Sequence, residues 1–371
     1  MKIIFLSNYY NHHQAFLSNE INKQCTDYLF IETDKMSEER KKLGYHLSNF
    51  PDYVKKVSEY DNYTLIKLIN NADVVITGSA PEYLIEERKK QGKLIFRYSE
   101  RILKKSEPIK YPIRYYRFHK NNPKSSNIYM LCASAYTASD YAKFGLFKNK
   151  CYKWGYFPEC KNYDIDELIL NKTQNSILWC ARLIDWKHPE IPVLVTEKLK
   201  SLNVDFKINI IGTGALESEI NSMIKEKNLD DFIEIIGSMP PEEVRKNMEK
   251  SQIFLMTSDR QEGWGAVLNE AMNSACAVIA NKAAGAVPYL IKNGENGFAY
   301  TKCDIDDICE KIIELFNDEE KMKSVQEQAY YTISNEWNSK VAAERLIKLS
   351  NAILKGEQSP DLFEDGICSK A

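Results

Sequence analysis

The chain has 371 residues, 44% of them hydrophobic, and a formal net charge of -2 at pH 7. That length predicts about two or three domains with sizeable cores. The nearly balanced charge excludes bulk binding of nucleic acid, and no apolar run reaches the ~18 residues that span a bilayer.

The N-terminus and the cysteines indicate where the protein works. Met1 and Lys2 lead into the apolar run Ile3 to Leu6, which is too short for the core of a signal peptide and is typical of a first strand. The nine cysteines are scattered, odd in number and lack a C-x-x-C pair. This pattern favours reduced thiols in a cytoplasmic protein over a disulfide or zinc framework.

The N-terminal half alternates short apolar runs with helical patterns, which is typical of an α/β sheet. The predicted strands are 2–7, 28–32, 73–77, 93–98 and 128–133, and the predicted helices are 65–71, 81–91 and 135–144. Ligands of such sheets bind beyond the carboxyl ends of the strands. Polar residues that follow two of these strands are therefore binding candidates: Asn11, His12, His13, Ser99 and Glu100.

These candidates have plainer alternatives. His12 and His13 could be two solvated loop histidines. Glu100 could form a surface salt bridge with Arg101 or Lys104.

A basic stretch with interleaved aromatic residues occupies 101–120. It contains seven Lys and Arg side chains against the single acid Glu107. Such a stretch can lie on an anionic membrane surface, and its alternative is a solvated charged face.

A second alternation begins after a polar segment, 158–174, which we expect to be an interdomain linker. Strands are predicted at 176–181, 206–211, 232–236, 253–256 and 277–280. Helices are predicted at 215–227, 241–250, 266–275, 305–316 and 319–334. A last amphipathic helix covers 339–354, and the tail after it has no periodic pattern, so we expect 357–371 to be loose.

The stretch around Glu262 combines a buried strand, a glycine-flanked turn and a helix start. Free N–H groups in the first turn of a helix bind anions, and Gly263 and Gly265 let a ligand approach the backbone. Glu262 and Glu270 would repel a phosphate, so we expect them to face sugar hydroxyls. A diphosphate with a sugar ring on each side is a nucleotide-sugar. The alternative is a pair of solvated helix carboxylates.

The Glu262-x7-Glu270 spacing in E-G-W-G-A-V-L-N-E-A-M resembles the signature of the retaining family-4 glycosyltransferases, the glycosyl transferases group 1. This resemblance implies the α/β GT-B fold, with two Rossmann-like doubly wound domains facing a central cleft. The acceptor-side domain would be 1–157 and the nucleotide-sugar-binding domain 175–336. The helix at 337–356 would cross back to the N-terminal domain.

The resemblance also implies roles for individual residues. Arg182 and Lys187, five residues apart after a strand, would hold the donor diphosphate. Glu262 would bind the transferred sugar and Glu270 the ribose hydroxyls. The further donor-binding candidates are Gly212, Gly214, Met239, Gly263, Trp264, Gly265, Ala266 and Val267. The family's glycine-rich first loop is replaced here by Asn11, His12 and His13, which favours side-chain contacts on the acceptor side.

The resemblance implies a retaining glycosyltransferase that needs neither metal nor cofactor, since two cations can replace Mg²⁺ at the diphosphate. Its partners would be a nucleotide-diphosphate sugar and a glycan or lipid-linked acceptor in capsule, exopolysaccharide or O-antigen assembly, with membrane-surface contact through 101–120. Two rivals stay open. One is an inactive nucleotide-sugar-binding subunit. The other is an NAD-linked oxidoreductase, disfavoured because Glu217 replaces the last glycine of G-x-G-x-x-G.

Overall fold

The computed structural model describes residues 1–36, 49–105, 107–124, 126–302 and 304–371. It divides into two compact units. The first contains 1–158 and 337–371, and the second contains 159–336.

The described part of the first unit is built on a seven-stranded parallel sheet. Its strands are β1 Lys2–Ser7, β2 Asp27–Glu32, β3 Val54–Lys56, β4 Val74–Thr77, β5 Ile95–Ser99, β6 Ile128–Cys132 and β7 Cys151–Lys153. Continuous apolar runs form these strands because helices cover both faces of a parallel sheet. The order is β3-β2-β1-β4-β5-β6-β7, so the direction of the winding reverses between β1 and β4.

The helices of this unit connect successive strands. They are α1 His12–Gln24, α2 Asn62–Asn70, α3 Glu86–Lys90, α4 Tyr111–Asn121 and α5 Thr137–Ala142. Short 3-10 segments lie at Val57–Glu59, Glu82–Ile85 and Pro108–Lys110. The core is formed by Ile and Leu side chains of the strands together with Leu65, Ile69 and Leu84.

The second unit is built on a six-stranded parallel sheet. Its strands are β8 Thr173–Cys180, β9 Lys207–Ile211, β10 Ile233–Gly237, β11 Ser251–Met256, β12 Ala277–Asn281 and β13 Phe298–Tyr300. The order is β10-β9-β8-β11-β12-β13, so the winding reverses between β8 and β11. Both sheets are therefore doubly wound.

The helices of the second unit are α6 Ile165–Leu170, α7 Glu190–Ser201, α8 Glu217–Glu226, α9 Pro241–Lys250, α10 Ala266–Asn273, α11 Val287–Leu290, α12 Ile305–Asn317 and α13 Glu319–Tyr331. A π-helical turn, Thr332–Glu336, ends the unit. The strands and helices share one core of buried aliphatic and aromatic side chains, which includes Trp179, Ile253 and Leu315.

The expected linker, 158–174, is instead packed on the second unit. The backbone N–H of Lys161 donates to Asn273 at 2.8 Å, and that of Tyr163 donates to the hydroxyl of Tyr330 at 3.1 Å. The buried ammonium of Lys172 donates to four backbone carbonyls at the ends of α9 and α10, those of Met248, Glu249, Ser251 and Ser274. Specific hydrogen bonds, rather than apolar periodicity, order this polar segment.

The expected loose tail is also ordered. Helix α14, Ser339–Leu354, packs against α1. The chain then runs antiparallel to β7, with a bridge between Tyr152 and Lys370. The backbone N–H groups of Lys153, Cys368 and Ala371 all bond to carbonyls across this contact. The prediction failed because this tail gains its order from hydrogen bonds to a distant strand, which no local pattern reveals.

Among the described helices, none combines the length and the apolar character that crossing a membrane requires.

Candidate functional site

The reversal between β8 and β11 places two loops side by side at the carboxyl edge of the second sheet. Connections leave in opposite directions at such a point, so a crevice opens between them and commonly binds a ligand. The loop after β8 carries Arg182 and Lys187, and the loop after β11 carries Glu262. The topology therefore brings together residues that are far apart in sequence.

Thr257 is the buried centre of the contact between these loops. Its hydroxyl accepts a hydrogen bond from the indole N–H of Trp179 at 2.7 Å and faces the carbonyls of Lys187 and His188. Nearby, the backbone N–H of Asp259 donates to the carbonyl of Trp186 at 3.0 Å. The two loops are thus held in one register. No sequence motif pointed to Thr257, which follows the apolar run of β11 directly.

The ammonium of Lys187 is ion-paired with the carboxylate of Glu262. Both side chains are largely shielded, with 12% and 13% of their surface exposed. Low exposure strengthens the interaction, because solvent screens it less. The structure therefore joins two sequence-predicted residues into one charged pair, in which the cation can meet a diphosphate and the anion can meet sugar hydroxyls.

Arg182 lies on the same loop but is exposed. Its guanidinium carbon is 5.8 Å from the centre of the Trp186 ring, and the Lys187 ammonium is 4.4 Å from that centre. The indole therefore attracts both cations through its ring electrons. This attraction offsets part of the cost of placing two positive charges on one short loop.

Gly265 starts helix α10 in a left-handed conformation, with φ of 96°. A side chain there would be strained, and its Cβ would come 2.4 Å from the Cε of Met256. The turn exposes the first N–H groups of the helix, those of Ala266 and Val267, at the end that favours anions. The backbone N–H of Gly285 donates to the Glu262 carbonyl at 3.3 Å and fixes the turn from the other side.

Glu270 lies further along α10 and is half-buried. Within the described part of the chain, its carboxylate has no hydrogen-bond or ion-pair partner. Burial raises the pKa of this carboxyl, the positive charge of Arg245 opposes that rise, and Glu159 adds to it. A shielded carboxylate without a partner is costly unless a ligand supplies one.

Cys180, at the end of β8, connects Glu270 with Lys187 electrostatically. The pKa of its thiol is raised to about 12 by burial and by the negative charge of Glu270, while Lys187 opposes the rise. The charges of both residues therefore act on this thiol. In the sequence, only its position just before the loop that carries Arg182 pointed to a place near the site.

Gly212 and Gly214 serve the packing of the Arg182 loop. A Cβ on Gly212 would lie 1.9 Å from the carbonyl oxygen of Ala181, and one on Gly214 would lie 2.2 Å from that of Leu183. The Leu183 backbone N–H donates to the Thr213 carbonyl at 3.0 Å. These glycines let two backbones touch, which explains a G-x-G pattern without a dinucleotide.

The other donor-binding candidates Trp264, Gly263 and Met239 differ in how far they are buried. Trp264 is fully buried, and its indole N–H donates to Asn269 at 2.9 Å. The prediction is therefore wrong for its side chain, which fills the core beside the turn. Gly263 is buried as well. Met239 follows β10 and is half-buried, with its sulfur 3.4 Å from the amide nitrogen of Asn247.

The acceptor-side candidates lie in the first unit, and Asn11 has a structural role there. It is buried, and its side-chain oxygen accepts from the His13 N–H at 2.9 Å, which caps helix α1. The cap gives Asn11 a structural role. A ligand contact through the rest of its side chain stays a prediction.

His13 and Glu100 are brought together by Tyr156, which sequence reasoning missed. The His13 ring is stacked on that of Tyr156, with the centroids 5.6 Å apart. The Tyr156 hydroxyl donates to Glu100 at 2.6 Å, and Lys104 donates to the other carboxylate oxygen at 2.6 Å. Glu100 therefore has the salt bridge considered above and a tyrosine contact.

Burial shifts the two histidines toward their neutral forms. Burial, with a smaller contribution from His12, lowers the pKa of His13 to about 3. Burial also lowers the pKa of His12.

The Ser99 hydroxyl donates to the carbonyl of Glu100 at 2.8 Å, so it supports the turn that carries the carboxylate.

Comparison with known proteins identifies the family of the second unit. Residues 161–332 match the family model described as glycosyl transferases group 1. A putative colanic acid biosynthesis glycosyltransferase of Salmonella typhimurium is 26% identical over 179 residues, which are 47% of this chain and 44% of that protein. An amylovoran biosynthesis glycosyltransferase of Erwinia amylovora is 26% identical over 178 residues, 47% of this chain and 44% of that protein. The match thus spans less than half of these relatives.

Solved structures extend the likeness to both units. The structure of Anabaena HepE in complex with UDP aligns with a TM-score of 0.71 over 95% of this chain and 100% of that chain, at 14% identity. TarM aligns with a TM-score of 0.69 over 94% and 98%, at 13% identity. At these identities the likeness concerns the fold. The chain therefore carries a domain of the glycosyl transferases group 1 family, and its two Rossmann-like sheets are those of the GT-B fold.

Proposed function

We propose that this protein is a retaining, metal-independent glycosyltransferase that moves a sugar from a nucleoside-diphosphate sugar to a glycan or lipid-linked glycan. The observation that supports it most is the Lys187–Glu262 ion pair at the β8–β11 reversal, with Glu270 on the helix that begins there. Cations and carboxylates placed there match the alternation of diphosphate and sugar in such a donor.

The proposed donor contacts follow from the charges. Arg182 and Lys187 hold the diphosphate, assisted by the N–H groups at the start of α10. Glu270, which has no hydrogen-bond or ion-pair partner among the described residues, accepts hydrogen bonds from the ribose hydroxyls. Glu262 accepts from hydroxyls of the transferred sugar and stabilises the positive charge that develops at its ring.

Retention follows if the acceptor attacks from the face that the diphosphate leaves. The bond between the anomeric carbon and the diphosphate oxygen breaks, and the acceptor oxygen forms its bond on the same side. The acceptor proton passes to the departing diphosphate. In this path Arg182 and Lys187 stabilise the growing negative charge, which is the role that Mg²⁺ has in other transferases.

The NAD-linked alternative receives no support from the glycine pattern. Close backbone contacts of Gly212 and Gly214 with Ala181 and Leu183 account for both residues. An inactive nucleotide-sugar-binding subunit would share the proposed donor site, so turnover is what separates it from an enzyme.

We propose surface-polysaccharide assembly as the process, since the relatives reported above are named for colanic acid and amylovoran biosynthesis. UDP is the nucleotide to test first, because it is bound in the HepE structure.

We also propose that the protein works at the cytoplasmic face of a membrane, which it contacts through Ile109, Lys110 and helix α4. Ile109, Ile113 and Tyr116 are exposed by 91%, 70% and 71%. The exposed basic side chains of the same segment are Lys110, Arg117 and Lys120. Exposed apolar side chains with interleaved cations suit an anionic lipid surface.

The donor proposal is tested by calorimetric titration of UDP and by transfer assays with UDP-sugars. Arg182→Ala should weaken UDP binding about tenfold or more, as expected for a lost charge-assisted contact. Lys225→Ala removes an exposed lysine of α8 and serves as the control. Equal affinity in the wild type and Arg182→Ala would refute the role of Arg182. Binding without transfer to any glycan acceptor would favour the inactive subunit.

The membrane proposal is tested by co-sedimentation with vesicles. Binding should require phosphatidylglycerol beside phosphatidylcholine and should fall in the Ile113→Asp and Arg117→Glu variants. Tyr63→Ser removes an aromatic side chain exposed by 75% on α2 and is the matched control. Equal sedimentation of all variants would refute the surface.

A further inference from the structure

Arg245, on α9, is a buried cation that the donor contacts above do not use. It is only 6% exposed, and it forms no ion pair in the part of the chain that the structure describes. Burying a guanidinium without an opposite charge is costly. Its presence therefore calls for a role that needs the charge.

The hydrogen bonds of Arg245 lead to the helix that carries Glu270. The guanidinium donates to the side-chain oxygen of Asn273 and, through Nε, to the hydroxyl of Tyr163 at 3.2 Å. Asn273 lies three residues after Glu270 on α10, and residues at this spacing are neighbours on a helix surface. Arg245 thus holds the turn on which the Glu270 carboxylate stands.

Asn273 is also held by two hydrogen bonds to the backbone of Lys161, which fix its side chain. The Lys161 N–H donates to its oxygen at 2.8 Å, and its amide nitrogen donates to the Lys161 carbonyl at 3.1 Å. The Tyr163 hydroxyl in turn donates to Glu249. The segment that enters the second unit, α9 and α10 therefore meet at one buried polar cluster: Lys161, Tyr163, Arg245, Glu249 and Asn273.

We propose that Arg245 is a positioning residue for Glu270, which fixes the helix turn that carries the carboxylate and supplies the positive charge that this shielded anion requires. The inference rests on the proposed function in that Glu270 is taken to bind the ribose hydroxyls. A charged carboxylate accepts both hydrogen bonds of a vicinal diol, whereas a protonated one keeps a donor that the diol does not need.

The charges around Glu270 agree with this role. Burial raises the pKa of its carboxyl, Glu159 acts in the same direction, and Arg245 is the cation that opposes them. The neighbouring thiol of Cys180 has its pKa raised to about 12, so it is neutral at pH 7. Removing Arg245 would therefore leave burial and Glu159 unopposed.

A double-mutant cycle tests the coupling without any ligand. The urea midpoint of unfolding is measured at about pH 5 and about pH 8 for the wild type, Arg245→Met, Glu270→Gln and the double variant. Arg245→Met should lower the midpoint more at the higher pH, where Glu270 must carry its charge. Adding Glu270→Gln should abolish that difference, and Arg245→Lys should restore most of the wild-type behaviour.

A purely structural Arg245 would give a different result. Arg245→Met would then lower the midpoint equally at both pH values, and Glu270→Gln would not change its effect. Either finding would overturn the proposal. If Arg245→Met does not fold, the comparison of Arg245→Lys with Arg245→Gln at the same two pH values decides between charge and packing.

Nucleotide binding then tests the consequence for the site. Arg245→Met should bind UDP about tenfold more weakly at neutral pH, with little change for 2′,3′-dideoxyuridine diphosphate, which lacks the hydroxyls. Equal losses for both nucleotides would overturn the link to ribose. If the wild type binds no nucleoside diphosphate, the proposed donor site fails, while the unfolding cycle still decides whether Arg245 and Glu270 are coupled.

Discussion

The ammonium of Lys187 is ion-paired with the carboxylate of Glu262. The group proposed to bind the diphosphate and the group proposed to bind the transferred sugar therefore contact each other when the donor is absent. A diphosphate must therefore compete with Glu262 for the same cation. We expect Glu262→Gln to bind UDP more tightly than the wild type, by roughly 1 kcal/mol or about fivefold.

The same variant should lose transfer by about 10²–10³ in kcat, because the charge that stabilises the sugar ring is gone. Calorimetry and a transfer assay on one preparation measure both effects. Lys187→Met provides the contrast, since it should weaken UDP binding. Tighter binding in Lys187→Met, or weaker binding in Glu262→Gln, would contradict the shared-cation arrangement.

Thr257→Val should destabilise the second unit by about 1–3 kcal/mol. Valine keeps the volume but leaves the Trp179 indole N–H and a loop carbonyl without the hydroxyl that both contact. Urea unfolding measures the loss. Thr257→Ser keeps the hydroxyl and should retain most of the stability. If both variants lose the same amount, the methyl group rather than the hydroxyl holds the loops in register.

Lys172→Met should cost about 3 kcal/mol or more. The ammonium donates to four carbonyls at the ends of α9 and α10, and methionine would remove the buried donor that these oxygens share. Lys250→Met, which removes an exposed lysine at the end of α9, is the control and should change the unfolding free energy by less than ~0.5 kcal/mol. Similar effects of the two substitutions would show that the carbonyls find water.

Acid should destabilise the first unit through His13. Its pKa is lowered to about 3 by burial and by His12, whereas an unfolded histidine titrates near 6.5. Between these values the unfolded chain binds a proton that the folded chain excludes. Stability therefore rises with pH from about 3 to about 6.5, by up to ~1.4 kcal/mol per pH unit, and this contribution is constant above that range.

His13→Gln should remove that part of the slope, as measured by unfolding at several pH values. His12→Gln should leave a histidine slope in place, because His13 still titrates. An unchanged slope in His13→Gln would mean that His13 is protonated in the folded protein.

Sequence periodicity predicted the alternation of both sheets and the start of α10 well, because buried parallel strands such as β11 are continuous apolar runs. It did not predict β3 and β7, which have three residues each and lie at the sheet edges. It also did not predict helix α4, where tyrosines and cations obscure the apolar period. Short edge elements owe their structure to their neighbours rather than to local preference.

The candidate site divides along similar lines. Residues in motifs, such as Lys187, Glu262 and Glu270, were identified because their chemistry is visible in the sequence. Trp264 was placed correctly in the turn, but the direction of its side chain depends on packing. Thr257, Tyr156 and Arg245 were missed because their importance comes from partners that lie far away in sequence.

The strand-like tail beside β7 has a consequence for the behaviour of the protein in solution. Cys368 and Ala371 donate to the carbonyls of β7, and Ser369 accepts from it. An open strand edge is a template for pairing with another molecule. The last residues therefore protect the protein against edge-to-edge aggregation, and a protein shortened before Gly366 would expose the edge of β7 and lose the buried side chains of Ile367 and Cys368.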